Sequence, residues 1–364
     1  MQITPPPAKQ RLKSWGLLRP DARQVINLSL TLLSLLVIVL AARTGWRSLR
    51  EYEQARQVEQ VDAATGDFIA AAGLLELERT YGSAVIGGER LDPRRLGQLE
   101  SAQREGDLLW HRAMDRARSI AARSPMSDDV LVRLASADAS FQALIRERRE
   151  LAACLRAPPC GLRDDAWQLT FSRAIEDSAA AREAVYFSVD TPERPARLYA
   201  AVQRSVWTLG EYTRRERGLI VFYLSAGKAP TDSARAELQG ERDVAREAQA
   251  SLRVFARLPL VDPRVRSAID EADRSLATGF APLAAAVLSG AARPDGQSWL
   301  TGTAASIGAL DRLSATVDEV VATLAARSMR ESRNDMLFNG LFVLLACAVA
   351  ALSATKVRQT ANAL

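Results

Sequence analysis

Histidine occurs once and cysteine three times in this 364-residue chain. That scarcity excludes zinc and haem sites of the usual kind, because no set of imidazole and thiolate ligands can be assembled. Neither a phosphate-binding glycine loop nor a Gly-x-Ser-x-Gly turn occurs, so nothing marks nucleotide chemistry or an activated serine. The single histidine, His111 in LLWHRAMDRA, reads as decoration on a helix surface or groove. No cofactor is implied, and scattered Asp and Glu on helices read as solvated faces, so an enzyme is disfavoured.

A true excess of positive charge is also missing. The formal charge is +5, but seven basic residues and one acid lie in the terminal segments, Lys9 to Arg23 and Lys356 to Arg358. Removing them from 48 and 43 leaves 41 basic against 42 acidic residues. The remaining −1 carries no electrostatic footprint for nucleic acid.

Two long apolar runs are present. Val25 to Ala42 holds eighteen residues without a charge and Met336 to Thr355 holds twenty, each long enough to cross about 30 Å of hydrocarbon. The first exceeds the apolar core of a secretory signal and is read as an uncleaved anchor. Lys9, Arg11, Lys13, Arg19 and Arg23 precede it, and Lys356 and Arg358 follow the second. This predicts two membrane passes of a bacterial inner membrane, with cytoplasmic tails at 1–24 and 356–364 and a periplasmic domain at 43–335. Arg43, Arg47 and Arg50 run against this orientation, although a long domain translocates largely regardless of charge. Of the cysteines, Cys347 falls in the second run; Cys154 and Cys160 flank LRAPP at a helix end and form a disulfide candidate in an oxidising compartment.

Between the runs, Ala, Arg, Glu and Leu dominate and β-branched runs are few, which is helical composition. Oxygen caps and prolines mark starts at Asp92-Pro93, Ser127, Thr191-Pro192, Thr231 and Asp262-Pro263; glycine and proline mark stops at Gly87-Gly88, Pro158-Pro159, Gly227 and Gly290. These predict an all-α fold of eight up-and-down helices at about 23–88, 93–123, 127–155, 163–189, 192–226, 231–257, 263–290 and 296–357, the first and last continuous with the apolar runs. An internal repeat relates Glu78-Arg79 to Glu216-Arg217, 138 positions apart, and predicts two four-helix units, at about 43–190 and 191–335.

Arg79 shares a helical stripe with Leu75, Gly82 and Ile86, and Arg217 with Thr213, Ile220 and Leu224. An arginine in such a stripe needs a partner, because an unpaired buried charge is costly. Glu78 and Glu216 are the supporting candidates, pairing between helices because neighbours in sequence do not face each other.

The segments ERTYGSAVIGG and RRERGLIVFYLSAG resemble the paired motifs of the nitrate- and nitrite-sensing domain, a helical sensor of bacterial chemoreceptors, histidine kinases and some antiterminators. Thr80 stands where the first motif would have glycine. The resemblance implies a small oxyanion, nitrate or nitrite, held between helices by Arg79 and Arg217, whose forked guanidinium groups match planar oxyanions. It also implies a membrane-anchored receptor that signals by displacement of its membrane helices. The residues alone leave a second reading open, in which both Glu-Arg pairs are ordinary ion pairs of a membrane-tethered interaction or scaffold protein. Only KVRQTANAL follows the second apolar run, so the expectation is either that a separate signalling partner reads the signal or that this is a receptor cut from its output. Ala346, Ala348, Ala350 and Ala351 would permit close helix packing in a homodimer.

Overall fold

The computed structural model describes residues 22–156, 161–189 and 194–362, and among these every regular element is helical. The order is α1 (Ala22–Ile86), α2 (Pro93–Ala121), α3 (Ser127–Arg156), α4 (Asp164–Phe187), α5 (Arg194–Ser225), α6 (Asp232–Ala256), α7 (Pro263–Ser275), α8 (Ala281–Leu288) and α9 (Gly296–Asn362). Two compact units result: Met1–Glu51 with Ser332–Leu364, and Tyr52–Glu331.

The smaller unit holds the apolar ends of α1 and α9. Its leucines and phenylalanines face outward, with Leu32, Leu36, Leu341 and Leu344 all more than half exposed. A core helix would hide such residues; here only 11% and 6% of the two most apolar windows are buried. Both helices are therefore long and apolar enough to cross a membrane. Asn339 Nδ2 donates to Ser48 Oγ at 2.6 Å, tying α9 to α1 within this unit.

The larger unit is a helical bundle, and its helix ends form by local chemistry. Asp92 accepts from Arg95 N at 2.8 Å with Pro93 in the first turn, and Thr231 accepts from Ala234 N at 3.2 Å. Gly88 and Gly227 close α1 and α5 with φ of 102° and 62°, beyond the reach of most side chains. Each is followed by a backbone bond that spans five residues, Glu89 N to Ala84 O and Lys228 N to Tyr223 O.

Trp110, Trp167 and Trp299 are fully or almost fully buried. Trp110 stacks on Phe141 with centroids 4.5 Å apart and meets Phe68 edge-on, joining α2, α3 and α1. Cys154 is disulfide-bonded; Cys160, the other half of the expected pair, lies outside the described residues. Cys347 is free, and His111 is exposed.

The expected seventh helix, 263–290, is interrupted. A π-turn at Leu276–Phe280 separates α7 from α8. Pro282 brings no N–H to the carbonyl of Thr278, and the ladder widens just before it, with Ala281 N donating to Leu276 O. Ser306 of α9 donates to the Ser275 carbonyl at 2.8 Å and fastens the turn. Gly279 permits that approach, since a Cβ there would lie 2.7 Å from Ser306 Oγ.

Candidate ionic site between the helices

Both arginines singled out by the sequence are buried. Arg79, on α1, is 0% exposed and grips Glu211 of α5 with both ends of its fork, at 2.8 and 3.2 Å. Its Nη1 also donates to Ser172 Oγ of α4 at 3.0 Å. Trp167 of α4 lies across the α1 backbone and donates from Nε1 to the Arg79 carbonyl at 2.9 Å. Gly82 makes that crossing possible, because a Cβ there would sit 2.1 Å from the Trp167 ring.

Glu78 and Glu216 are not the partners of these arginines. Glu78 takes two bonds from Arg148 of α3, both at 2.7 Å, and one from Gln103 of α2. Glu216 takes Arg242 Nε of α6 at 2.5 Å. The expected interhelical pairing of these glutamates with Arg79 and Arg217 does not form: on each helix the glutamate and the arginine beside it meet different neighbouring helices, and the arginines find Glu211, Thr303 and the Leu300 carbonyl instead.

Arg217 repeats the local backbone setting of Arg79 but not its ion pair. Trp299 Nε1 donates to the Arg217 carbonyl at 3.1 Å, as Trp167 does to Arg79. The Arg217 guanidinium donates to Thr303 Oγ1 and to the Leu300 carbonyl, both at 2.9 Å. Without a carboxylate beside it, burial pulls its pKa down to about 10.

Around Arg79 and Glu211 the structure gathers charges that the sequence reading did not connect. Arg215 binds Glu211 and reaches Glu176 at 2.7 Å; Arg214 reaches Glu76 at 2.6 Å and Asp311 at 2.5 Å. Burial raises the pKa of Glu76, with Arg214 opposing and the Glu211 charge adding to the rise. Burial acts in the same sense on Glu211, but Arg79 and Arg215 outweigh it and hold this carboxyl ionised. The ionic cluster thus contains one carboxylate locked in its charged form and one biased toward its acid form.

Beside this core a cleft of about 800 Å³ is bounded by Gly87, Asp164, Gln168, Arg173, Arg215 and Glu241, among others. Ser83 donates to Asp164 at 2.6 Å and Gln168 donates to Ser83 at 2.6 Å. Burial pushes both Asp164 and Glu241 up to about 7. Among the described residues no group of three His, Cys, Asp or Glu is arranged to hold a metal ion.

With this geometry in view, comparison with known proteins adds one result. No family model and no curated protein matches the sequence. A solved structure does. The fold is similar to that of the NasR transcription antiterminator. The TM-score is 0.62 over 85% of this chain and 82% of that one, at 18% identity, a likeness of fold alone.

That match corrects the expectation of a membrane-anchored periplasmic receptor for nitrate or nitrite signalling through its membrane helices. The helical fold that the resemblance implied for a receptor is similar to that of a transcription antiterminator, so the fold does not specify a receptor. The side chains give a second reason: the Arg79 fork holds Glu211, and the Arg217 fork holds Thr303 and the Leu300 carbonyl.

Glu211, Ser172, Trp167 and Trp299 escaped the sequence reading. The tryptophans carried a usable signal, since their spacing of 132 positions nearly matches the repeat of 138. Glu211 carried none, because its counterpart one repeat earlier is Gly73.

Proposed function

We propose that this chain is a regulatory protein whose bundle, Tyr52–Glu331, adopts alternative arrangements about the Arg79–Glu211 ion pair and passes its state to a separate protein partner. One observation carries the reading: a fully buried, two-pronged ion pair joins helices 132 residues apart. Such a pair is poor at adding net stability, because both ions must be desolvated, yet its loss is expensive. It therefore suits a choice between discrete packings better than it suits a scaffold. That the same fold serves a transcription antiterminator supports placing the chain among regulators.

Within the bundle we assign two four-helix halves, one from the end of α1 through α4 and one from α5 into α9 with α7 and α8 counted as one interrupted helix, the ion pair crossing between them. The repeated Trp–carbonyl bonds and the glycine closures at Gly88 and Gly227 support this division. We place the two apolar runs in a bilayer with both termini cytoplasmic, supported by the basic flanks and by the bonded state of Cys154.

The test is a distance measurement. With Cys347 replaced by alanine, spin labels on exposed Arg104 of α2 and Glu247 of α6 report the separation of the halves. Glu211→Gln is expected to shift or broaden the distance distribution. Superimposable distributions in the two proteins would reject the ion pair as a switching element.

A further inference from the structure

About ten residues beyond Ser172 along α4, roughly 15 Å away, lies Arg182, a second arginine withdrawn from solvent. It is 6% exposed. Among the described residues its guanidinium has no hydrogen-bond or ion-pair partner; it lies over the Trp207 ring, 5.5 Å from the centroid. Burial draws its pKa down to about 10, with Glu183 and Asp318 opposing. A cation so placed keeps its charge and has donors left to give.

Those donors border a cavity of about 260 Å³ whose walls come from α1, α4 and α5. Thr65 presents a buried hydroxyl that finds no partner among the described residues, and it lines the same cavity. Of the charged residues in the wall, Glu183 is already held by Arg204 at 2.8 Å. Asp318 acts on Arg182 from outside the wall, with its carboxylate engaged by Gln203 Nε2 at 3.0 Å. The rest of the lining includes Phe187, Ala200 and Ala201, an apolar surface without charge, with the polar side chains of Tyr186 and Gln203 beside it.

We infer that this cavity is a binding site for a small organic carboxylate. The carboxylate would accept the free end of the Arg182 fork and the Thr65 hydroxyl, and a short hydrocarbon tail or single ring would lie against Phe187 and Ala201. The donors account for the negative head, because an orphaned guanidinium and an orphaned hydroxyl in one cavity are both satisfied by a two-oxygen acceptor. The apolar wall accounts for the tail, since a small inorganic ion would leave that surface facing water. The site is independent of the Arg79–Glu211 pair and stands whether or not that pair switches.

The experiment is a thermal melt of the full chain in detergent with butyrate, benzoate, inorganic phosphate or butylamine. Butyrate or benzoate at a hundredfold excess over its dissociation constant is expected to raise the midpoint by roughly 5–10 °C. Butylamine is expected to leave it in place. Arg182→Met should melt at or above the unmodified protein when no ligand is present, because an unpaired buried charge has been removed, and should lose the carboxylate response. Thr65→Val, a gentler change, should weaken the carboxylate affinity about tenfold by calorimetry while the unliganded melt stays within 2 °C. The proposal is overturned if neither carboxylate shifts the melt, if phosphate shifts it and the carboxylates do not, or if both variants retain full affinity.

Discussion

Replacing Arg79 with methionine removes one side of an ion pair in which both side chains are fully buried, and the sign of the result distinguishes two roles for that arginine. If Arg79 is the structural partner of Glu211, its loss leaves a buried carboxylate with Arg215 as its remaining cation. Breaking a buried pair costs about 3–5 kcal/mol. Because Arg215 stays, the lower end applies, about 3 kcal/mol, with the Ser172 bond included. In a unit of this size that lowers the melting midpoint by roughly 6–12 °C. If Arg79 instead awaited an anion, removing its charge in the empty protein would be neutral or stabilising.

Circular dichroism melts of the purified chain in detergent, without added anions, read the difference directly. Glu211→Gln and the double variant complete the cycle, and the double variant should recover about 1–2 kcal/mol relative to the sum of the singles. Arg217→Met supplies the contrast. That side chain has no carboxylate to orphan, only Thr303 and the Leu300 carbonyl, so its cost should stay within about 1 kcal/mol. A midpoint for Arg79→Met at or above that of the unmodified chain would refute the reasoning.

Two further outcomes are expected. Gly82→Ala should lower the melting midpoint by at least 5 °C, or roughly 2 kcal/mol; Trp167 cannot retreat from the added methyl without surrendering its bond to the Arg79 carbonyl, and an unchanged melt would show the ring to be movable. Stability should also fall between about pH 4 and 7. Burial raises Asp164 to about 7 in the folded chain, so the folded state binds the proton more tightly, and this contribution is complete below the unfolded value and gone above pH 7. The shift sets a ceiling of about 4 kcal/mol, and solvent in the adjoining cleft reduces it to ~1–2 kcal/mol. Asp164→Asn should flatten the slope across that range in denaturant titrations; an identical slope would assign the effect to other buried carboxyls, Glu76 and Glu241 first.

Helix boundaries were legible because their causes are local. Asp92, Thr231 and Asp262 cap the residues that follow them, and Gly88, Gly227 and Gly290 close the helices that precede them. No tertiary information is needed to place such signals. The break in the seventh helix was less visible, because a proline near a helix start is ordinary and only the carbonyl it fails to serve reveals the π-turn. The site was legible in part. The stripes holding Arg79 and Arg217 correctly implied burial, since a charge among small and apolar residues has few other places to be. Their partners were not legible: Glu211 and Thr303 lie 132 and 86 positions away, and no spacing rule links residues brought together only by packing. The family resemblance led further than the side chains permit, for it named the arginines but said nothing of what fills their forks.

The π-turn ahead of Pro282 has a consequence for how this chain tolerates change in length. One extra residue in a helix advances everything after it by about 100° around the axis and would turn an apolar edge into solvent. At Leu276–Phe280 that advance is already taken up in a single widened turn, after which Ala284 is again fully buried. Insertions and deletions of one residue elsewhere in the bundle must propagate to the next loop. Here they can be absorbed on the spot, so homologous chains that differ in length by one residue should differ between Ser275 and Pro282.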